Sequence, residues 1–426
     1  MSEMLERAKK VIAPTLGVDT ELVALSSDGI EVQALDGRTY YDFASGTAVL
    51  NIGHGPEKVR QAAKQQIDRF IHSGCVFYYE SMIELAELLA EVTPGDIGMF
   101  FFSNSGAEAV EGCLKLARYV TGRPGILSFT GAFHGRTLGA ASITTSAVKY
   151  RDKYRPLLPE VYQIPFPFCY RCPYGLKRDT CGLHCFEALL HFQKHVLSPE
   201  QTAAIIIEPQ QGEGGYVPCD VEFMQRLRDL CTEHGIVLIF DEVQTGFGRT
   251  CKWFCSEHYG IQPDAMAIAK GIASGFPISA VASTPELMTK WTKGAHGTTF
   301  GGSPVSCAAG VATIETIKEQ NLLEKGMQKA RHIKARLAEM QKKLPVIGDV
   351  RGWGLMIGID LVHPGTTEPY PEALNKVFAD ELKENFVFIG CGPWGNIIRY
   401  IPPLITPIEI IDRSLDIMEK SLSELE

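Results

Sequence analysis

Charged side chains stand at the ends of two apolar runs, where a charge is unfavourable unless a partner compensates it. The run Ile236 to Phe240 in GIVLIFDEVQTGFGR ends in Asp241 and Glu242. Such a run, bounded by glycine and turn-forming residues, is typical of a strand buried on both faces. Further along the chain, PDAMAIAKG ends a second apolar run with Lys270. Both strand ends are therefore candidate ligand sites.

Lys270 is a candidate nucleophile because of its position after an apolar run. Desolvation favours the neutral amine, which is the nucleophilic form of lysine. A lysine in this position, taken alone, is more often ion-paired or extends its ammonium group into solvent. Its interpretation therefore depends on what else the chain provides.

A phosphate-binding turn is the third feature. FFFSNSGAEAVEGCLKLARYV predicts a strand, a turn containing Ser105, Gly106 and Ala107, and a helix. Free N–H groups in the first helical turn attract a phosphate, although an ordinary capped helix start explains the turn when it is taken alone. With Lys270 and Asp241 the set matches what pyridoxal phosphate (PLP) requires: a Schiff-base lysine, a carboxylate for the pyridine nitrogen and a phosphate site. Asp241 would then be compensated by a pyridinium cation.

The elements around these residues predict an α/β fold. Between about residues 50 and 300, the apolar runs IGMFFF, GILSFT, AAIIIEP, GIVLIFDEV and DAMAIAKG alternate with helical patterns. This alternation favours a mostly parallel sheet with helices on both faces. Ligands bind beyond the carboxyl ends of such strands, which is where Asp241 and Lys270 stand.

The length of 426 residues predicts more than one domain, since single cores rarely exceed about 250 to 300 residues. After about residue 305 the pattern changes to long helical stretches with a few strands. We predict an N-terminal segment, 1–50, that packs with the small domain. A large cofactor-binding domain, 51–305, and a small C-terminal α/β domain, 306–426, would follow.

Composition, charge and the absence of certain motifs argue against several classes of protein. The net charge of −9 argues against a nucleic-acid-binding protein. No apolar run approaches the roughly 20 residues of a membrane span. The start MSEMLERAKKVIAP lacks the apolar stretch of a secretory signal, so a cytoplasmic enzyme is expected. Neither the nucleotide-binding pattern G-x-x-x-x-G-K-[ST] nor the hydrolase pattern G-x-S-x-G occurs.

Four of the twelve cysteines cluster in an insertion, 165–186. Cys169, Cys172, Cys181 and Cys185 have C-x2-C and C-x3-C spacing, which is compatible with a structural zinc site. A proline-containing surface insertion with free thiols is the alternative, and both interpretations stay open. No metal is assigned to the catalytic site.

The ordered motifs SGAEAVE, FHGRT, EPQQGEGG, DEVQTGFGRT, AKGIASGFP and GTTFGGSP resemble class III PLP-dependent aminotransferases of fold type I. That group includes 4-aminobutyrate, ornithine and acetylornithine aminotransferases. The resemblance extends from YYDFASGTAVLNIGHGPEKV to IIRYIPPLITPIEI. It implies a large domain with a mostly parallel central sheet, a smaller C-terminal α/β domain, and a homodimer or tetramer with active sites at the subunit interface.

The resemblance also implies roles for individual residues. Lys270 would carry the cofactor and Asp241 would contact its pyridine nitrogen. The other implied cofactor residues are Ser105, Gly106 and Ala107 at the phosphate, Phe133 and Val243 on the ring faces, His134 nearby, Gln244 near the ring hydroxyl, and Thr299 at the neighbouring subunit's phosphate. A lone histidine such as His134 is, however, more often structural.

Three further residues would bind substrate by the same resemblance. Arg136 and Arg399 resemble carboxylate-binding arginines, and Glu213 resembles the acid that pairs with Arg399. Each arginine alone would more often form a surface or interdomain salt bridge. Glu208 stands before Pro209 and has no assigned role.

The predicted reaction is a ping-pong transfer of an amino group from an ω-amino donor to a 2-oxo acid such as 2-oxoglutarate. An amino-acid racemase or epimerase of the same family and a pyruvate-using ω-transaminase are the alternatives. A non-enzymatic scaffold is a more distant one. The donor, the acceptor and the choice between dimer and tetramer stay open.

Overall fold

The computed structural model describes residues 3–425, which form helices and strands in alternation. The α-helices are α1 (Glu3–Val11), α2 (Ser45–Ala48), α3 (Glu57–Arg69), α4 (Glu80–Val92), α5 (Gly106–Thr121), α6 (Leu138–Ile143), α7 (His184–His195), α8 (Val221–His234), α9 (Pro285–Met288), α10 (Pro304–Glu319), α11 (Leu322–Lys343), α12 (Pro371–Lys383) and α13 (Ile408–Ser423). Short 3₁₀ helices span Val148–Tyr150, Pro199–Gln201, Cys255–His258 and Lys270–Ala273.

Fifteen strands lie between these helices within residues 3–425. They are β1 (Ala24–Asp28), β2 (Glu31–Ala34), β3 (Thr39–Asp42), β4 (Met99–Ser103), β5 (Gly125–Phe129), β6 (Val161–Ile164), β7 (Thr202–Ile207), β8 (Val237–Asp241), β9 (Ala265–Ile268), β10 (Ser279–Ser283), β11 (Ile347–Arg351), β12 (Ile357–Leu361), β13 (Phe386–Val387), β14 (Ile389–Cys391) and β15 (Ile397–Tyr400).

A seven-stranded sheet forms the centre of the molecule, in the order β4-β10-β9-β8-β7-β5-β6. Strand β10 runs antiparallel to β4 and β9, and the other pairs are parallel. Every residue of β5, β7, β8 and β9 is buried, as expected for strands covered on both faces. The predicted α/β fold with a mostly parallel central sheet is confirmed.

The order of the strands determines which strand ends meet. Strands β7, β8 and β9 are neighbours, so their carboxyl ends lie at one edge of the sheet. Glu208 directly follows β7, Asp241 is the last residue of β8, and Lys270 comes two residues after β9. Three ionisable side chains are therefore brought to one edge, where ligands bind in this kind of sheet.

Helix α5 begins at the same edge, directly after β4. Ser105 is its N-cap: the Ser105 hydroxyl accepts a hydrogen bond from the Glu108 backbone N–H at 3.3 Å, and the Glu108 carboxylate accepts one from the Ser105 N–H at 2.7 Å. This capping box satisfies two N–H groups of the first turn. Buried residues such as Val110 and Leu114 hold the helix against the sheet, so the orientation of its N-terminus is fixed.

Two smaller sheets complete the fold. Strands β11, β12, β15 and β14 form an antiparallel sheet in that order, against which α11 packs. The other sheet has the order β1-β2-β3-β13, in which β13 from the C-terminal part pairs with β3. The domain limits given above stay a prediction. No helix within residues 3–425 is both long and apolar enough to cross a membrane.

Candidate active site

A cavity of about 340 Å³ opens at the carboxyl edge of the central sheet. Nine of the ten predicted cofactor residues line it: Ser105, Gly106, Ala107, Phe133, His134, Asp241, Val243, Gln244 and Lys270. The tenth, Thr299, is exposed and lies outside the lining. Residues Val49, Asn104, Glu208 and 275–278 also line the cavity, and none of them was assigned a role from the sequence.

Asp241 is held by two hydrogen bonds at the base of the cavity. His134 Nδ1 lies 2.7 Å from one carboxylate oxygen, and the Val243 backbone N–H donates to the other at 3.0 Å. Both Asp241 and His134 are buried. His134 Nε2 is buried with no hydrogen-bond partner within residues 3–425. The histidine therefore fixes the carboxylate, and one polar atom at this place has no partner in the described part of the chain.

Lys270 occupies a strained backbone position beside Asp241. Its φ is 47°, in the left-handed region that residues with a Cβ adopt rarely. Burial, together with the positive charge of Arg399, lowers the pKa of its amine to about 8, while Asp241 and Glu208 act in the opposite direction. A lysine with this pKa is partly neutral near physiological pH, as a nucleophilic amine must be.

This lowered pKa predicts the pH dependence of cofactor attachment. Only the neutral amine attacks an aldehyde, so the rate at which added PLP attaches to the cofactor-free protein should rise through pH about 8 and then level off. Stopped-flow absorbance of the imine band measures that rate. A rate that keeps rising toward the ordinary lysine pKa of 10.5 would contradict the desolvated environment.

The turn before α5 leaves little space between its backbone and Val243. A Cβ placed on Gly106 would lie 2.8 Å from Val243 Cγ1, which is closer than carbon atoms approach without one of them moving. Gly106 thus lets the first-turn N–H groups approach whatever fills the cavity.

Replacing Gly106 with alanine should weaken cofactor binding. The added methyl group pushes Val243 into the cavity, and overpacking of about 1 to 3 kcal/mol corresponds to a rise of roughly five- to a hundredfold in the PLP dissociation constant. Titration of the cofactor-free variant, followed by absorbance, gives that constant. Gly98→Ala is the matched control, because its Cβ would meet only Asp96 O at 3.9 Å. Equal affinities for the two variants would refute the role of the close contact.

Glu208 and Glu242 are two buried carboxylates near Asp241. Glu208 lines the cavity and accepts hydrogen bonds from the Phe133 N–H at 2.8 Å and the Gly212 N–H at 2.7 Å, while burial raises its pKa to about 7. The sequence could have indicated Glu208, because this carboxylate follows the apolar run in AAIIIEP just as Asp241 follows the run Ile236 to Phe240.

Glu242 belongs to the supporting structure, since it is absent from the cavity lining. Its carboxylate accepts hydrogen bonds from the backbone N–H groups of Cys255 at 3.0 Å and Ser256 at 2.8 Å, and from the Thr245 hydroxyl. Burial raises the pKa of Glu242 to about 7. Of the two acids that end the β8 run, only Asp241 faces the cavity.

The three predicted substrate residues lie beside the cavity and outside its lining. Arg399 is buried, and its Nη2 forms an ion pair with Glu213. Both charges are near enough to influence the pKa of Lys270. Arg136 is exposed; its guanidinium lies 5.4 Å above the ring of Phe133 and 5.0 Å above that of Tyr150. The predicted Glu213–Arg399 pair is present, and Tyr150 was missed by the sequence analysis.

The four clustered cysteines line a separate cavity of about 20 Å³ near Asp220. None of the four forms a disulfide bond with another described cysteine. Within residues 3–425, no three histidine, cysteine or acidic side chains are arranged to hold a metal ion. The choice between free thiols and a structural metal therefore stays open at this insertion.

Comparison with known proteins identifies the family. The model for class III aminotransferases matches residues 16–422. The chain belongs to the class III aminotransferase family. Class III aminotransferases depend on PLP, so this enzyme is a PLP-dependent aminotransferase.

Relatives of this aminotransferase include enzymes of two activities. A probable 4-aminobutyrate aminotransferase of Bacillus subtilis is 38% identical over 94% of this chain and 92% of the relative. A 5-aminovalerate aminotransferase of Pseudomonas aeruginosa is 39% identical, with 99% and 98% covered. An alanine/serine racemase of Pyrococcus horikoshii is 36% identical, with 99% and 90% covered.

A solved structure has the same fold as this aminotransferase. The taurine:2-oxoglutarate aminotransferase of Bifidobacterium kashiwanohense, in complex with PLP and glutamate, superposes with a TM-score of 0.91 at 27% identity, covering 99% of this chain and 97% of that one. The neighbour confirms the fold type I architecture.

The cavity of this aminotransferase fits PLP on its own features. A neutralisable amine at Lys270, a fixed carboxylate at Asp241 and helical N–H groups at Gly106 match the three functional ends of the cofactor. The unsatisfied Nε2 of His134 is one polar atom that a bound group or a water molecule would satisfy.

Proposed function

We propose that this aminotransferase moves an amino group from an ω-amino donor to a 2-oxo acid such as 2-oxoglutarate by a ping-pong mechanism. The proposed donor class includes 4-aminobutyrate, 5-aminovalerate and ornithine. The observation that carries the proposal is the ion pair between Glu213 and Arg399 beside Lys270. The names of the two aminotransferase relatives support the same donor class.

The ion pair explains how one site takes two kinds of substrate. An ω-amino acid has no carboxylate next to its reacting amine. The positive charge of Arg399 would then be buried without a partner, and Glu213 neutralises it. A 2-oxo dicarboxylic acid has such a carboxylate, and Arg399 would bind it in a bidentate way after Glu213 moves aside. Arg136 would hold the distant carboxylate of either substrate.

The chemistry of the proposed reaction divides among a few side chains. PLP, when bound, supplies the electron sink that makes the hydrogen on the amine-bearing carbon acidic. Lys270 Nζ would remove that proton as a general base and deliver it to the cofactor carbon as a general acid. The Asp241 carboxylate would keep the proton on the ring nitrogen, with His134 fixing its orientation. The supporting contacts would come from Ser105, Gly106 and Ala107 at the phosphate, Phe133 and Val243 on the ring faces, and Gln244 near the ring hydroxyl.

Separate half-reactions test the proposal. Purified holoenzyme is mixed with 4-aminobutyrate, 5-aminovalerate, ornithine or an α-amino acid alone, and the visible band of the bound cofactor is followed. We expect ω-amino acids to remove the band and 2-oxoglutarate to restore it in the aminated enzyme. Restoration by pyruvate and not by 2-oxoglutarate would instead indicate a pyruvate-using ω-transaminase.

Racemisation or epimerisation is the second candidate, favoured by the relatedness to the alanine/serine racemase. In that reaction Lys270 would return the proton to the substrate carbon and no acceptor would be needed. Incubation of one enantiomer of an α-amino acid without any oxo acid, followed by chiral chromatography, distinguishes the two. Racemisation without net transamination would replace the first proposal.

A homodimer with active sites at the subunit interface is part of the proposal. Val76, Phe77 and Tyr78 are 73%, 70% and 87% exposed, and Phe300, next to Thr299, is 66% exposed. The two segments touch, since Cys75 Sγ donates to Thr298 O at 3.2 Å. An apolar surface of this kind favours a second copy covering it, with Thr299 reaching the other copy's phosphate. Light scattering of the holoenzyme gives the mass, and a monomer would contradict the assignment.

A further inference from the structure

Tyr150 connects the residues proposed to recognise the two substrates. It ends the 3₁₀ helix Val148–Tyr150, and its hydroxyl donates a hydrogen bond to Glu213 Oε1 at 3.1 Å. Its ring lies edge-on to Phe133, with 5.3 Å between the ring centroids. The Arg136 guanidinium lies 5.0 Å above the Tyr150 ring. One side chain therefore contacts both the predicted distal-carboxylate arginine and the acid that pairs with Arg399.

Glu213 has a different partner on each carboxylate oxygen. Oε2 accepts from Arg399 Nη2, and Oε1 accepts from Tyr150. Its backbone is also fixed, because the Gly392 N–H donates to Glu213 O at 3.0 Å. A rotation of the Glu213 side chain would break the bond to Tyr150, the bond to Arg399, or both.

Arg399 has a hydrogen-bond donor left over while it is paired with Glu213. Its guanidinium is buried and lies 5.8 Å from the ring of Tyr216. Its Nε has no hydrogen-bond partner within residues 3–425. A carboxylate that displaces Glu213 could then use Nε together with an Nη nitrogen, so departure of Glu213 determines access to this arginine.

We propose that Tyr150 is a positioning residue that holds Glu213 on Arg399 and so sets the preference for ω-amino donors over substrates with an α-carboxylate. The inference rests on the proposed function above. The tyrosine acts as a neutral donor, because burial and the Glu213 charge raise its pKa while Arg136 lowers it. The Tyr150 hydroxyl favours the ion pair between Glu213 and Arg399, and the Tyr150 ring supports Arg136 whichever substrate is bound.

Tyr150→Phe separates the hydroxyl from the ring. The variant keeps the ring beside Arg136 and removes the hydroxyl together with its hydrogen bond to Glu213. Hydrogen bonds to charged groups are strong enough that its loss should change the ratio of kcat/KM for 5-aminovalerate to that for L-glutamate by about tenfold, in favour of L-glutamate. The change should arise from a lower value for 5-aminovalerate together with an equal or higher value for L-glutamate.

The experiment measures both values in single-turnover half-reactions of the holoenzyme, with cofactor occupancy checked by absorbance. Tyr154→Phe is the matched control, because Tyr154 lies four residues further on and is 57% exposed. Glu213→Gln is the reference for a weakened pair and should change the ratio in the same direction. In the Glu213→Gln background, Tyr150→Phe should add nothing, because the hydroxyl acts through the carboxylate.

Each outcome decides the inference. A changed ratio in Tyr150→Phe, absent in Tyr154→Phe and not additive with Glu213→Gln, supports it. An unchanged ratio, or an equal loss for both substrates, shows a merely structural tyrosine and overturns it. If the wild-type enzyme converts no ω-amino acid, the proposed donor class fails and the inference fails with it. The inference alone fails in a different case: the wild-type enzyme converts 5-aminovalerate, and Tyr150→Phe has the same ratio of kcat/KM for 5-aminovalerate to that for L-glutamate.

Discussion

Replacing Lys270 with alanine is expected to lower the transamination rate by at least about a thousandfold, since it removes the proposed covalent attachment and the general base together. The side chain lines the cavity, and burial lowers the pKa of its amine to about 8. Among the described residues that line the cavity there is no second lysine to take over its role. Initial rates with 5-aminovalerate and 2-oxoglutarate, at saturating added PLP, measure the loss. The attached-cofactor band should also disappear from the spectrum of the purified variant.

Lys290→Ala is the control for this substitution. Lys290 is exposed and forms an ion pair with Glu286 at 3.2 Å, an i, i+4 pair on the protein surface. Surface pairs of this kind contribute little to stability, so the control should keep the wild-type rate. A Lys270→Ala enzyme that kept even a tenth of the wild-type rate would overturn the assignment of the nucleophile.

Replacing Asp241 with asparagine should lower the rate by about a hundred- to a thousandfold. An amide has nearly the same shape as a carboxylate, and it carries no negative charge to stabilise a proton on the ring nitrogen. The variant should fold, because the Val243 N–H still finds an oxygen acceptor at the position it now bonds at 3.0 Å. The rate per cofactor-loaded site measures the effect, so that weaker cofactor binding does not enter the comparison.

Glu242→Gln tests whether the effect of Asp241 is specific. Glu242 is the next residue, is also buried, and bonds the Cys255 and Ser256 N–H groups away from the cavity. Its amide variant should lose about 1 to 3 kcal/mol of folding stability, because an N–H group would face backbone donors. Thermal unfolding should show that loss while the rate per loaded site stays unchanged. Comparable rate losses in the two variants would mean that any buried charge here has the same effect.

The amino-acid sequence determined the features that short segments carry. Buried runs predicted parallel strands, and the turn after FFFS predicted the helix start at Ser105 and Gly106, both as found. Their ends brought Asp241 and Lys270 to the cavity, because carboxyl ends of parallel strands share one edge. The family motifs added Phe133, His134, Val243 and Gln244, which line the cavity within a few residues of a strand end.

Tertiary structure decided which side chains became partners. His134 and Asp241 are 107 residues apart, and Tyr150 and Glu213 are 63 apart, yet each pair is hydrogen-bonded. Glu208 meets the cavity because β7 lies next to β8, and nothing near Glu208 in the sequence specifies that neighbour. Local sequence sets backbone conformation and burial pattern, whereas the pairing of distant side chains depends on strand order and on how connecting loops pack. A single sequence therefore indicated the chemical groups, and only the folded chain showed how Tyr150 connects them.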